Sequence, residues 1–324
     1  MNGFQCLKLL LLFLFLLGGG KAFAAKNFCY FTYAAEASVT IPTVSTSVLD
    51  PVGSVLSTTA TPSGQIYWGW CAKQSPFYNE MLYSSQLTSI SHVYATDLPG
   101  IGIRFTDNNY GYTFDQPATS YLLPKDYGWD VAWQGGIVEI VKTGRVTAGV
   151  LPAKVLGRIY TTAELSPVNP NQDGLALTVT LSSPVVINAS SCAVITPTTL
   201  NVPLGDYHST DFGAVGSTLG SANIDMTLSC YDGVKVTAVI SADEDAAQSG
   251  VIKLTEGSDS ATGLGIQILD ANNDPLPIGT EIAVGTTTVE GEYNINWSAR
   301  YIKTLSKVTA GKANALATVN LNYE

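Results

Sequence analysis

The chain has 324 residues, of which 13% are charged, and a formal net charge of −10. Phosphate backbones and anionic lipid repel an acidic chain, which argues against nucleic-acid binding and polybasic membrane attachment. Low charge with abundant Thr, Ser, Val, Ala and Gly is the composition of strands and turns, not of helices or disorder.

From the start of the chain, Lys8 precedes an apolar run from Leu9 to Leu17, then Gly18-Gly19-Gly20 and the small-x-small triplet Ala22-Phe23-Ala24. A spanning helix needs about 20 apolar residues, roughly twice this run. Residues 1–24 therefore read as a signal peptide cleaved after Ala24. No later apolar stretch is long enough to span, so an exported protein without a membrane span is expected. The leader takes two of the 16 basic residues, leaving 14 basic against 26 acidic.

Cys6 departs with the leader, and Cys29, Cys71, Cys192 and Cys230 remain in an oxidising compartment. Four cysteines allow three pairings. Cys29–Cys71 and Cys192–Cys230 are favoured, because each bridge then closes a loop of about 40 residues inside one domain. There is no Cys-x-x-Cys pair, and the chain has only two histidines, so no metal site is expected.

The landmarks repeat. Cys192 follows Cys29 by 163 positions, and Cys230 follows Cys71 by 159. Gly100-Ile101-Gly102-Ile103-Arg104 returns 163 residues later as Gly263-Leu264-Gly265-Ile266-Gln267. Lys142-Thr143 with Val146-Thr147-Ala148-Gly149 returns as Lys303-Thr304 with Val308-Thr309-Ala310-Gly311. One supersecondary plan used twice is the economical account. The expected domains are 25–185 and 191–324, joined by a polar linker at 186–190.

Period-2 patterns bounded by turn residues set the expected strands. In the first copy these include Val131–Val141, Val155–Tyr160 and Leu175–Leu181. In the second they are Thr199–Val202, Asn223–Cys230, Lys235–Ser241, Gly265–Leu269, Tyr293–Lys303 and Asn314–Tyr323. Turns fall at Asp232-Gly233, Asn272-Asn273-Asp274-Pro275 and Thr309-Ala310-Gly311. Short strands with one disulfide per domain predict an all-β fold, two tandem immunoglobulin-like β-sandwiches. The copies differ at their ends. After Ala148-Gly149 the first continues through further strands, whereas after Ala310-Gly311 the second has one strand only. In that strand Ala317, Val319, Leu321 and Tyr323 alternate toward one face. With no neighbour its edge recruits a strand from another chain.

The paired cysteines, the Gly-x-Gly-Ile strand, the Val-Thr-Ala-Gly turn and the penultimate Tyr323 make residues 191–324 resemble a chaperone–usher pilin domain. The whole arrangement resembles the two-domain type 1 fimbrial tip adhesin. The resemblance implies an incomplete second domain lacking its last strand, completed by a periplasmic chaperone, then by the donor strand of the next fimbrial subunit. It also implies an outer-membrane usher, a place at the fimbrium tip, and a host glycan or glycoprotein receptor bound by 25–185. A structural minor pilin or fimbrial adaptor subunit without receptor binding is the alternative. Lys73 and Gln74 stand where that adhesin carries acidic and amide side chains, so the resemblance does not extend to mannose.

Twenty aromatic residues lie between Ala25 and Val185 against seven beyond it, and rings beside carboxylates and amides suit sugars. Dense stretches are Tyr67-Trp68-Gly69-Trp70, Phe77-Tyr78-Asn79-Glu80, Asp107-Asn108-Asn109-Tyr110-Gly111-Tyr112 and Lys125–Trp129. Loops that converge at the tip of the resembled adhesin point to Gln74, Tyr78, Asp126, Tyr127, Trp129 and Thr161 as receptor-binding residues. Asp270, Asn272, Asp274 and Glu281 imitate a calcium loop, but Pro275 stands where that loop needs glycine, so a plain turn is expected. His92 and His208 lie near no nucleophile signature and no Gly-x-Ser-x-Gly occurs. Neither enzyme activity nor a cofactor is expected.

Overall fold

A computed structural model describes residues 28–31, 34–63, 67–72, 74–122, 127–165 and 174–324. The leader, Lys73 and Asp126 lie outside them. The strands of the front half begin with β1 (Phe28–Phe31), β2 (Ala35–Val39), β3 (Val44–Ser47), β4 (Val55–Ala60) and β5 (Tyr67–Cys71). Next come β6 (Pro76–Met81), β7 (Tyr94–Ala95), β8 (Ile101–Asp107), β9 (Thr119–Leu122), β10 (Tyr127–Ala132) and β11 (Gly136–Lys142). They end with β12 (Gly149–Leu151), β13 (Val155–Thr161), β14 (Glu164–Leu165), β15 (Leu175–Leu181) and β16 (Val185–Ser190). The rear half holds β17 (Cys192–Val194), β18 (Thr218–Cys230), β19 (Lys235–Ala242) and β20 (Ile252–Lys253). It closes with β21 (Leu264–Leu269), β22 (Glu281–Thr286), β23 (Gly291–Lys303) and β24 (Ala317–Tyr323).

Alternation is visible in burial. β6 buries Phe77, Asn79 and Met81 and leaves Pro76, Tyr78 and Glu80 half-buried outside, as a sheet with one wet face requires. In the rear half a five-stranded sheet (β17-β18-β23-β21-β20) faces a three-stranded one (β22-β19-β24). Leu228, Ile295 and Trp297 from the first sheet and Val236, Ala238 and Ile240 from the second share one core, the arrangement of a sandwich. The front half wraps four sheet segments, including β2-β15-β13-β6-β9, around a core running from Cys29 to Ile187.

Both expected disulfides form, and each joins directly paired residues of adjacent strands: Cys29 with Cys71, and Cys192 with Cys230. The repeat is structural as well. Thr143 N–H donates to the Gly100 carbonyl, and Thr304 N–H to that of Gly263. Gly100 has φ +80° and a Cβ there would lie 2.1 Å from the Arg145 carbonyl; Gly263 has φ +77° and would meet the Lys307 carbonyl at 2.2 Å. Only glycine suits either place.

Several expectations change. Residues 186–190 are not a linker but most of β16, hydrogen-bonded to β12 and β3. Val185 and Ile187 are apolar enough to bury while Val186 and Asn188 face out, a strand pattern hidden by Ser and Asn. The strand expected over 131–141 breaks between β10 and β11, where Gly135 takes φ +85°. Thr199–Val202 forms no strand, and β17, β20 and β22 were too short or too polar to announce themselves. The 270–275 segment is a turn, with Asp270 Oδ1 accepting from the N–H groups of Asn272 and Asp274.

Candidate functional site

The rear half presents an unfinished edge. β24 pairs antiparallel with β19 along its whole length, from Ala317 opposite Ala242 to Tyr323 opposite Val236. Its second edge has no strand beside it among the described residues. Ala317, Val319, Leu321 and Tyr323 face the core as expected, yet all four stay half-buried and pack only at the margin of that core. The front half shows what a finished edge looks like. There β13 pairs with β6 on one side and with β15 on the other, and β15 buries Ala176, Leu177, Val179 and Leu181 completely.

In the front half, Gln74, Tyr78 and Thr161 are the expected receptor-binding residues whose side chains are described. Gln74 is exposed in a turn with φ +64°. Tyr78 stands on the outer face of β6, stacked at 5.0 Å on Tyr160 of β13; Arg158 covers Tyr160 at 5.0 Å and pairs with Glu80. Thr161 is a correction: it is buried, and its hydroxyl donates to the Pro76 carbonyl and accepts from Ala163 N–H, so it offers a ligand nothing. Period-2 alternation places it inward, opposite the outward Tyr160. Tyr127 and Trp129 belong to β10, with side chains outside the described residues, as is all of Asp126.

A second aromatic group surrounds the 107–113 loop. Tyr112 stacks on Tyr121 at 4.5 Å, and Tyr110 lies 5.4 Å from the same ring. Beneath them Asp107 accepts from Tyr110 N–H and from the Asn79 side-chain amide, and its own N–H donates to the Tyr112 carbonyl. Burial pushes the Asp107 carboxyl above the usual aspartate value.

Residues 179–324 match the family described as "Fimbrial protein", and residues 39–180 match "MrkD-like receptor binding domain". Over 146 residues the chain is 34% identical to the fimbrial subunit type 1 of Salmonella typhimurium, covering 43% of this chain and 78% of that protein. The chain belongs to the fimbrial protein family. This fimbrial protein joins a receptor-binding half to a pilin half, the composition of a fimbrial adhesin of the cell surface. It is 24% identical over 343 residues to a fimbria adhesin protein of Klebsiella pneumoniae, spanning 98% of this chain and 100% of that one. The receptor binding domain of the plasmid-born adhesin MrkD1P of Klebsiella pneumoniae aligns at 21% identity and a TM-score of 0.36, over 52% of this chain and 98% of that one.

Proposed function

We propose that the chain is the tip adhesin of a chaperone–usher fimbria. The front half, from residue 25 through β16, holds a host-surface glycan, and the rear half, residues 191–324, joins the fibre by accepting a strand from another polypeptide. The bare second edge of β24, set against the β15-covered edge of β13, is the observation that carries this reading. Unpaired backbone donors and acceptors beside a half-covered apolar row favour strand addition. The occupant is first a periplasmic chaperone, then the donor strand of the next subunit, delivered at the outer-membrane usher. The residues just ahead of Cys192 are committed to β16 of the front half, so the rear half has no free extension to donate. A subunit that accepts and cannot donate ends the polymer.

The test is periplasmic expression with and without the cognate chaperone. A stable 1:1 complex with it, and degradation without it, is expected. A monomeric, protease-resistant chain made alone would sink the proposal. A glycan array probed with the chaperone-bound chain reports on the receptor, and an empty array favours the adaptor role.

A further inference from the structure

The outer face of the sheet β2-β15-β13-β6-β9 is its wet one. Glu36, Thr178, Arg158 and Glu80 stand across it in one row. Two residues along, Tyr160 stands opposite Tyr78, and Tyr78 opposite Ser120 of β9. Phe77 and Tyr121 turn inward, so Tyr78 and Tyr160 are the only rings on that face among the described residues.

The pair is lopsided. The two rings stack at 5.0 Å with planes 9° apart, so each covers one face of the other. Arg158 lies 5.0 Å from the Tyr160 centroid and is held by Glu80. Because β6 runs between β13 and β9, the second face of Tyr78 looks toward β9. Directly opposite residues on one face of a sheet have Cβ atoms about 4.5–5.5 Å apart. Ser120 ends one atom beyond its own Cβ, too short to cover a ring. No other ring or cation meets that face of Tyr78 among the described residues.

Polar groups border the open ring. Ser120 is exposed, and its hydroxyl makes no hydrogen bond among the described residues. Asp115 bridges to Glu80 on the β9 side of β6, and the next residue, Gln116, donates from Nε2 to Glu80 Oε1 at 3.4 Å. That amide keeps its oxygen and a second hydrogen for a ligand. On the opposite flank stands Leu122, 58% exposed and paired with Pro76. An aromatic face beside a hydroxyl and an amide matches a sugar's C–H face and hydroxyl rim. The one cation here, Arg158, is already balanced by Glu80.

We propose that the β9-facing side of Tyr78, with Ser120 beneath it and the Gln116 amide at one end, seats one neutral pyranose ring of the receptor. An acidic sugar would meet the Glu80 carboxylate with no spare cation to offset it. The assignment rests on the glycan-binding reading above and names the place, the atoms and the charge class of the sugar.

The test uses the full chain with its chaperone, 13C-labelled in the tyrosine rings, with Tyr78→Phe assigning the relevant signal. Methyl α-mannoside, methyl β-galactoside, methyl β-N-acetylglucosaminide, methyl α-fucoside and the methyl glycoside of N-acetylneuraminic acid are titrated separately. At least one neutral glycoside should shift the Tyr78 ring saturably, and the acidic one should not. Tyr78→Ala should weaken binding about 3- to 10-fold. Ser120→Phe leaves Tyr78 in place and lays a ring over its open face; it should abolish binding with the melting midpoint unchanged. A glycan-array hit that Ser120→Phe retains would place the sugar elsewhere, overturning the seat and leaving the adhesin reading intact. A Tyr78 ring that answers to no neutral glycoside, or to the acidic one alone, would also overturn it. An empty glycan array would remove the broader reading with it.

Discussion

Asp107 sits at the foot of the tyrosine loop, 2% exposed, with Tyr110 N–H and the Asn79 amide as donors. Removal from water outweighs those bonds and raises its pKa above the ordinary 3.8. The folded chain therefore holds this proton more tightly than the unfolded chain. The associated stability is fully present below the unfolded pKa and is lost as pH rises through the folded one. In Asp107→Asn that loss is gone. The variant's melting midpoint should gain on the wild type as pH climbs through the window just above 3.8 and level off beyond it; a constant difference across the range would contradict the assignment. Thr161 gives the complementary lesson, since it sits one position from the outward Tyr160 and so faces the core.

β24 and β13 are the same element in two states of completion. Each lies against the strand that follows its domain's second cysteine, β19 or β6, but among the described residues β13 alone gains a second neighbour. A charge in the half-covered row must be desolvated by any incoming strand. Leu321→Asp should therefore cost about 3 kcal/mol of partner affinity, roughly 100-fold. Pull-down of the chaperone from the periplasm measures this, while the front half's unfolding should stay unchanged. The face of β24 was legible in the sequence, where alternation marked Ala317, Val319, Leu321 and Tyr323 as one row. Both disulfides and the long strands β18, β19, β21 and β23 were equally plain. The 186–190 segment was not, because Asn188, Ser190 and their neighbours read as polar connector while register with β3 and β12 made them strand. Which face each candidate takes was least legible, since Thr161 turns inward only through the register of β13 against β6.

At the scale of the whole chain, the halves meet around Tyr231, just after Cys230. Arg145 lies 4.9 Å over that ring and bonds Asp232 at 2.8 Å, while Val48 of the front half packs against the rear core. Lys142, buried beside the same ring, is fixed by the carbonyls of Ser47 and Asp50. Arg145 and Asp232 are half or more exposed, so their pairing is screened, and the ring contact contributes most of about 1 kcal/mol. Arg145→Ala should widen the range of interdomain angles seen by small-angle scattering and leave each half's own melting midpoint in place. A shifted midpoint for either half would move the role of Arg145 from the joint to the fold.

The twin glycines carry a last consequence. Gly100 and Gly263 press equally close to a facing carbonyl, so a survey of every single substitution should show paired cold spots along the chain. The pairing should be uneven. On the proposal that a partner strand completes the rear half, intolerance at the first twin should register whenever the protein is made, and at its later counterpart only in cells that supply that partner.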